Sequence, residues 1–334
     1  MSGVTRVEVD DTDDFAAWFA LFDRAQRLAA GDDEGWLAEE WRARAGDEGV
    51  PVHDRLYRLG PRGAPLAVAH AAFNALDNRH LADAGLFVDP AHRRGGLGTE
   101  LLAGLSDVVR ARGVTTLVVR VLVAPGSAAD AAARGFARAR GLRHTTTAVR
   151  RAWTLPGGPE LEALATRWAA RAAGYDVVVY RGPTPEDLLS ERARLAALIG
   201  SAVPDPGVGT EPERWDGARV RALEARVEQM GRLFDVALAR ETASGRLVGF
   251  SELTVSRERP HSAYQWGTFV ETAHRRRGIA AWLKVEAARA LVAASPATTR
   301  ILTENDARNA PVVAMNESLG FRVTGVNLSF AADL

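Results

Sequence analysis

The chain has 334 residues, 47% of them hydrophobic and 25% charged, with 42 basic and 42 acidic side chains and no cysteine. That length provides for two domains with cores of their own. The neutral balance offers no global field toward nucleic acid or anionic lipid, and the missing cysteine excludes disulfides, thiolate metal sites and a cysteine nucleophile. The opening Met1-Ser2-Gly3-Val4 has neither the basic nor the apolar region of a leader, and no apolar run approaches the ~18 residues of a membrane span. The expectation is a cytoplasmic protein of GC-rich, bacterial coding, with one lysine, Lys284, among its basic residues.

In chain order, each half reads as strand, helices, three strands, helix, strand, helix and a closing hairpin. The Pro156-Gly157-Gly158-Pro159 stretch within 153–159 is the best linker. It places the domain boundary at 1–157 and 158–334, with a helix at 161–173 bridging the halves. The second half continues with a strand at 175–180, a helix at 185–199, a Pro/Gly loop at 205–209 and a helix at 214–230. Strands follow at 233–240, 247–255 and 264–270, with a tight turn at Ser244-Gly245. A helix from Ile279, a strand at 299–303, a helix at 310–319 and a final strand pair complete it.

The halves share a motif. Val88-Asp89-Pro90-Ala91-His92-Arg93-Arg94-Gly95-Gly96-Leu97-Gly98 returns as Val270-Glu271-Thr272-Ala273-His274-Arg275-Arg276-Arg277-Gly278-Ile279-Ala280, with Val, Arg and Gly held 182 residues apart. Flanking segments repeat at offsets of 179 to 183, so the repeat is a whole domain. Each copy joins an apolar strand to a helix N-terminus. Unpaired N–H groups and the helix dipole favour an anion there, and glycine lets it approach the backbone. Arg93, Arg94, Arg275 and Arg276 can add charge-assisted bonds to a pyrophosphate.

A Val followed by an Arg-bearing, Gly-x-Gly/Ala loop between strand and helix resembles the acyl-CoA pyrophosphate loop of the GNAT superfamily of N-acetyltransferases. The second half adds Thr303-Glu304-Asn305, Asn309 and Asn316-Glu317-Ser318-Leu319-Gly320-Phe321-Arg322. Together these features resemble tandem-domain GNAT proteins of actinobacteria, including those with mycothiol synthase-like architecture. The resemblance implies an α/β fold of two GNAT-like domains, each a mixed central sheet flanked by helices. It implies acetyl-CoA as co-substrate, no metal, and a primary amine of a small molecule as acceptor. Neither nucleic acid nor membrane is an expected partner, and the chain would be a monomer or homodimer.

By the same resemblance the CoA ester lies between two splayed parallel strands. Its pantetheine contacts the backbone at Phe269 and Val270 and the side chains of Asn305 and Asn309. Arg275, Arg276, Gly278, Ile279 and Ala280 form the C-terminal cradle, and Val88, Arg93, Arg94, Gly96 and Gly98 the N-terminal one. The Val270 N–H is the expected oxyanion donor, and the sulfur ends near Asn316. By sequence offset, Leu122 and Ala137 replace Asn305 and Asn316 in the first half, so the C-terminal half is the expected catalyst and the N-terminal half is expected to be non-catalytic. The family's frequent acid and base fall on Asn316 and Gln265, neither of which transfers protons at useful pH. Glu252, sharing a strand face with Phe250, is the substitute candidate for the base; the carboxylate of Leu334 ranks below it. Two rival readings remain open: catalysis in the N-terminal half with Asp83 as base, and a CoA-binding regulatory or scaffold protein without turnover. His92 and His274 read as loop residues, His261 and Tyr264 as turn residues, and Trp215 and Trp266 as packing.

Overall fold

The computed structural model describes residues 3–32, 34–46 and 51–334. They divide into two compact units, one of Met1–Val149, Asp205–Glu211 and Gly325–Leu334, the other of Arg150–Pro204 and Pro212–Thr324. Both are mixed α/β with a central sheet. No helix among the described residues is long and apolar enough to cross a membrane.

The first half of the chain runs β1 (Val4–Val7), α1 (Thr12–Ala30), α2 (Ala38–Gly46), β2 (Val52–Leu59), β3 (Ala67–Asn74), β4 (Leu81–Val88), α3 (Leu97–Arg110), β5 (Thr116–Val123), α4 (Ala128–Ala139) and β6 (Arg143–Thr154). The second runs α5 (Gly158–Arg171), β7 (Tyr175–Arg181), α6 (Glu186–Ile199), α7 (Gly217–Gln229), β8 (Arg232–Glu241), β9 (Leu247–Ser256), β10 (Ser262–Val270), α8 (Ile279–Ala294), β11 (Arg300–Asp306), α9 (Ala310–Ser318) and β12 (Arg322–Asp333). In each, an antiparallel meander leads into one parallel pair, β4–β5 or β10–β11.

The expected closing hairpins are absent. Each copy ends in one twelve-residue strand, β6 or β12. Gly325 stays extended inside β12 and is not among the positive-φ glycines, so no turn forms there. β5 pairs with β12 along its whole length, from Val326↔Val123 to Asp333↔Thr116, which draws residues 325–334 into the first unit. The loop at 205–211 also joins that unit: Asn78 Oδ1 accepts from the Glu211 N–H at 2.6 Å, and His80 Nε2 lies 3.0 Å from the Gly209 carbonyl.

The helix at Gly158–Arg171, expected to bridge the halves, belongs to the second unit. Its role follows from the composition of α8. That helix buries Ile279, Ala281, Trp282, Leu283, Lys284, Val285, Ala287, Ala288 and Leu291, most of its circumference. A helix apolar on nearly all sides needs cover on the face away from its sheet. Leu161, Ala165 and Trp168 of α5 join the same core. The corresponding α3 buries only Leu101, Leu102, Gly104, Leu105 and Val109, one face, and needs no second layer.

Candidate functional site

The two cradles have the same backbone. Arg94 (φ 69°) and Gly96 (φ 89°) take left-handed conformations in the first, as do Arg276 (φ 64°) and Gly278 (φ 78°) in the second. Each glycine is the residue from which the following helix starts. Arg93 Nε donates to the Val88 carbonyl at 3.3 Å, and Arg275 Nε donates to the Val270 carbonyl at 2.9 Å. The first loop arginine thus clamps the end of its strand, while Arg94 and Arg276 are exposed at a helix N-terminus. The repeated geometry fits a pyrophosphate: successive N–H groups without helical partners, flanked by guanidinium groups.

The surroundings differ. A Cβ on Gly96 would meet nothing within 4 Å, whereas one on Gly278 would lie 3.1 Å from Arg171 Cβ and 3.2 Å from the Trp168 ring. The exposed Arg167 and Arg171 guanidinium groups lie 5.4 and 5.3 Å from the Trp168 ring centroid. The second cradle therefore gains cations and an aromatic wall from α5. His274, Nδ1 to the Tyr175 hydroxyl at 2.8 Å, ties the loop to β7. His92 lies 3.8 Å from Asp89 in its own turn. Among the described residues no cluster of three or more His, Cys, Asp or Glu is placed to hold a metal.

Both parallel pairs splay. β4 and β5 are in register from Leu81↔Thr116 to Ala84↔Val119, and β10 and β11 only from Ser262↔Arg300 to Tyr264↔Leu302. Beyond those pairs the two strands of each pair separate and leave a cleft edge. The antiparallel register decides which backbone groups line it. The Glu271 N–H donates to the Val248 carbonyl, so by alternation Phe269 bonds β9 while Thr268 and Val270 turn their N–H and C=O toward the cleft. Val270 is thereby available as a donor there. Phe269 packs with Phe250.

A β-bulge at Gln265/Thr268 distinguishes β10 from β4, whose register with β3 is regular. The extra residue changes the alignment of the copies. Counting five residues back from Val88 and Val270 matches Asp83 with Gln265, but strand pairing matches Asp83 with Tyr264 and Gln265 with Ala84. Gln265 borders the bulge, its Nε2 donating to Ser251 Oγ at 3.0 Å and to the Glu252 carbonyl at 2.5 Å. Asp83 is half-exposed and pairs with Arg120 at 2.6 Å.

Glu252 lies opposite the bulge, buried on the face of β9 that meets α6. One oxygen pairs with Arg192 of α6, and the other accepts from the Gly267 N–H at 3.1 Å. Arg192 also lies over the Phe250 ring at 4.1 Å. Next to this pair, Thr184 donates both its N–H and hydroxyl to Glu224, and Tyr180 bonds Thr184 at 2.8 Å. Burial raises the Tyr180 hydroxyl pKa to about 12. In the first unit, His70 holds the position of Glu252 and faces Gly85 as Glu252 faces Gly267. Its Nδ1 is 3.7 Å from buried Asp54, which pairs with Arg44 at 2.8 Å. Arg192, Tyr180, Thr184, Glu224, His70 and Asp54 escaped the sequence reading because they sit outside the repeated motif. The 182-residue offset between His70 and Glu252 was the available signal.

The asparagines form a connected group. Asn316 is buried, accepts from Lys284 Nζ at 2.9 Å and donates to Asn305 Oδ1 at 2.6 Å. Asn309 is the N-cap residue of α9 and makes no side-chain cap bond. Strand pairing aligns Asn305 with Val121, one residue from the Leu122 given by sequence offset. Ala137 does correspond to Asn316: Leu142 N–H bonds the Ala137 carbonyl at 2.9 Å as Phe321 N–H bonds that of Asn316 at 3.0 Å. Leu334 belongs to the first unit, its N–H bonded to the Thr115 carbonyl at the unsplayed end of β5.

The family profile described as "Acetyltransferase (GNAT) family" matches residues 15–142 and 206–321. A tandem GNAT protein from the clavulanic acid biosynthesis pathway superposes with a TM-score of 0.76 at 20% identity, over 99% of this chain and 98% of that one. A GCN5-related N-acetyltransferase from Sphaerobacter thermophilus gives 0.67 at 21% identity, over 99% and 95%. A putative acetyltransferase from Pyrococcus horikoshii gives 0.56 at 12%, over 99% and 89%. A search of curated proteins returns no match. With a strand–cradle–helix unit built twice and the family profile matching most of the sequence, the chain belongs to the GNAT acetyltransferase family and carries that fold in tandem.

Proposed function

We propose that the protein is an acetyl-CoA-dependent N-acetyltransferase whose C-terminal half acts on the primary amine of a small molecule. The observation that carries this reading is the Lys284–Asn316–Asn305 group of the second unit, whose counterparts in the first, Leu102, Ala137 and Val121, are apolar. The β10 bulge and buried Glu252 also lie in the second unit. Arg275, Arg276 and the N–H groups from Gly278 to Ala280 would hold the pyrophosphate, and Asn305 and Asn309 the pantetheine.

A bound CoA ester supplies an acyl group activated as a thioester. The Val270 N–H, turned into the cleft, would stabilise negative charge developing on the carbonyl oxygen. Glu252, on the α6 side, would orient the amine and accept its proton, directly or through water. Asn316, buried with its Nδ2 donating to Asn305, would serve the sulfur side through Asn305. No acidic or basic groove is legible in the sequence, which favours a small acceptor over a protein tail or polyamine.

The unobstructed Gly96 favours a second reading, in which the N-terminal cradle is the one that binds CoA and Asp83 is the base. Calorimetric titration with acetyl-CoA separates the two. Charge reversal at the exposed Arg276 should weaken binding about 10-fold or more, and Arg94→Glu should leave it unchanged. The opposite pattern moves the site to the N-terminal half. No binding by the wild type removes the enzymatic reading in favour of a non-catalytic scaffold.

A further inference from the structure

Lys284 is the single lysine of a chain with 42 basic residues, and it lies inside α8 at 2% exposure. Its position fixes a direction. The amine donates to Asn316 Oδ1, and Asn316 turns its Nδ2 to Asn305. Asn305 must then turn its oxygen to Asn316. Its own Nδ2 becomes the free end of the chain, on the part of β11 beyond the last pair with β10. Each bond in such a series polarises the next.

The N-terminal copy shows what packing alone requires. Leu102, Ala137 and Val121 take the three equivalent positions, and the same helix, strand and helix close around them. A buried amine is therefore not demanded by the fold, and placing one there costs free energy. Burial holds the Lys284 amine down to about 7, with no charged group contributing. The ionisable groups on surrounding elements are engaged elsewhere: Glu286 with Arg289, Asp306 with Arg308, Glu252 with Arg192, and Tyr175 with His274. Glu317 lies 3.9 Å from Arg151. Arginine could not replace Lys284, since it is bulkier and does not release its proton.

We propose that Lys284 is a positioning residue for acyl transfer, setting the Asn316 and Asn305 carboxamides as a one-way donor chain whose Asn305 Nδ2 end meets the thioester portion of a CoA ester. This rests on the C-terminal half being the CoA site. The chain couples the ligand to an amine that the ligand itself does not touch.

The single lysine makes the test direct. Protein carrying [13Cε]lysine gives one lysine side-chain signal, to be titrated between pH 5 and 10 with and without saturating acetyl-CoA, alongside calorimetry. The expected result is a midpoint near neutrality that moves by about half a pH unit or more when acetyl-CoA binds. In Asn316→Ala the movement should be lost at acetyl-CoA concentrations that calorimetry shows to be saturating. Acetyl-CoA binding without any change at Lys284 overturns the proposal and leaves the proposed function standing. Absence of binding, or binding abolished by Arg94→Glu and not by Arg276→Glu, removes both. As a second readout, Lys284→Leu should lower the hydrolytic release of CoA from acetyl-CoA, with water taking the acetyl group, about 10-fold with KM little changed. An unchanged rate in a variant that melts cooperatively also overturns it.

Discussion

Gly278 sits under Trp168: a Cβ there would lie 3.2 Å from the indole ring, whereas at the equivalent Gly96 it would find open space. Both residues have positive φ, so alanine at either strains the backbone by roughly 1–2 kcal/mol. Only at Gly278 must packing also give way. We expect Gly278→Ala to destabilise the protein more than Gly96→Ala in urea unfolding, and Trp168 fluorescence should change only in the former.

Lys284 predicts a pH-dependent stability difference. Its amine is held at about 7 in the folded protein against 10.5 for an unperturbed lysine. The folded state thus binds fewer protons than the unfolded state between those values, and stability rises with pH across that window. The cost of burying the ammonium is fully present below pH 7. Wild type compared with Lys284→Leu in urea should show a stability gap that narrows by about 1.4 kcal/mol per pH unit from about 7 upward. A constant gap would show that Lys284 does not change charge there.

Replacing Glu252 should affect folding and activity separately. Glu252→Leu leaves the buried Arg192 guanidinium without its anion, a loss of about 3–5 kcal/mol. The double variant Arg192→Leu/Glu252→Leu removes both charges and should recover most of that loss. If Glu252 serves the acceptor amine, the double variant regains stability without regaining acyl transfer. Recovery of both would assign the pair a purely structural role.

Asp83 offers the contrasting case. Its ion pair with Arg120 is half-exposed on both sides, so Asp83→Asn should cost less than about 1 kcal/mol. With catalysis in the C-terminal half, its turnover should match wild type. A loss of rate would redirect attention to the first unit.

The sequence was legible where a repeat could be read against itself. The cradles followed from two copies of one motif, because backbone conformation there is set by local glycine and arginine positions; the splayed pairs and the asparagines came from the resemblance to the GNAT family. Two features were not legible. The bulge at Trp266-Gly267 adds one residue, and because the equivalent Gly85 lies in a regular strand the glycine does not announce it, so counting back from Val270 misaligned Asp83. The Lys284–Asn316 bond joins residues 32 apart, and a lone lysine in an apolar helix reads as a surface residue until its burial is known. The α5 helix was found as a helix, but its role depended on α8 being apolar on almost every side.

The pairing of β12 with β5 has a consequence for biosynthesis. β5 emerges from the ribosome about 200 residues before its partner, yet every residue from Thr116 to Val123 is paired in register with a position between Val326 and Asp333. The half made first therefore waits for a segment made much later to complete its sheet edge. Until residues 326–333 have been made, that edge is an open template for strand addition, and deleting them would damage the N-terminal half.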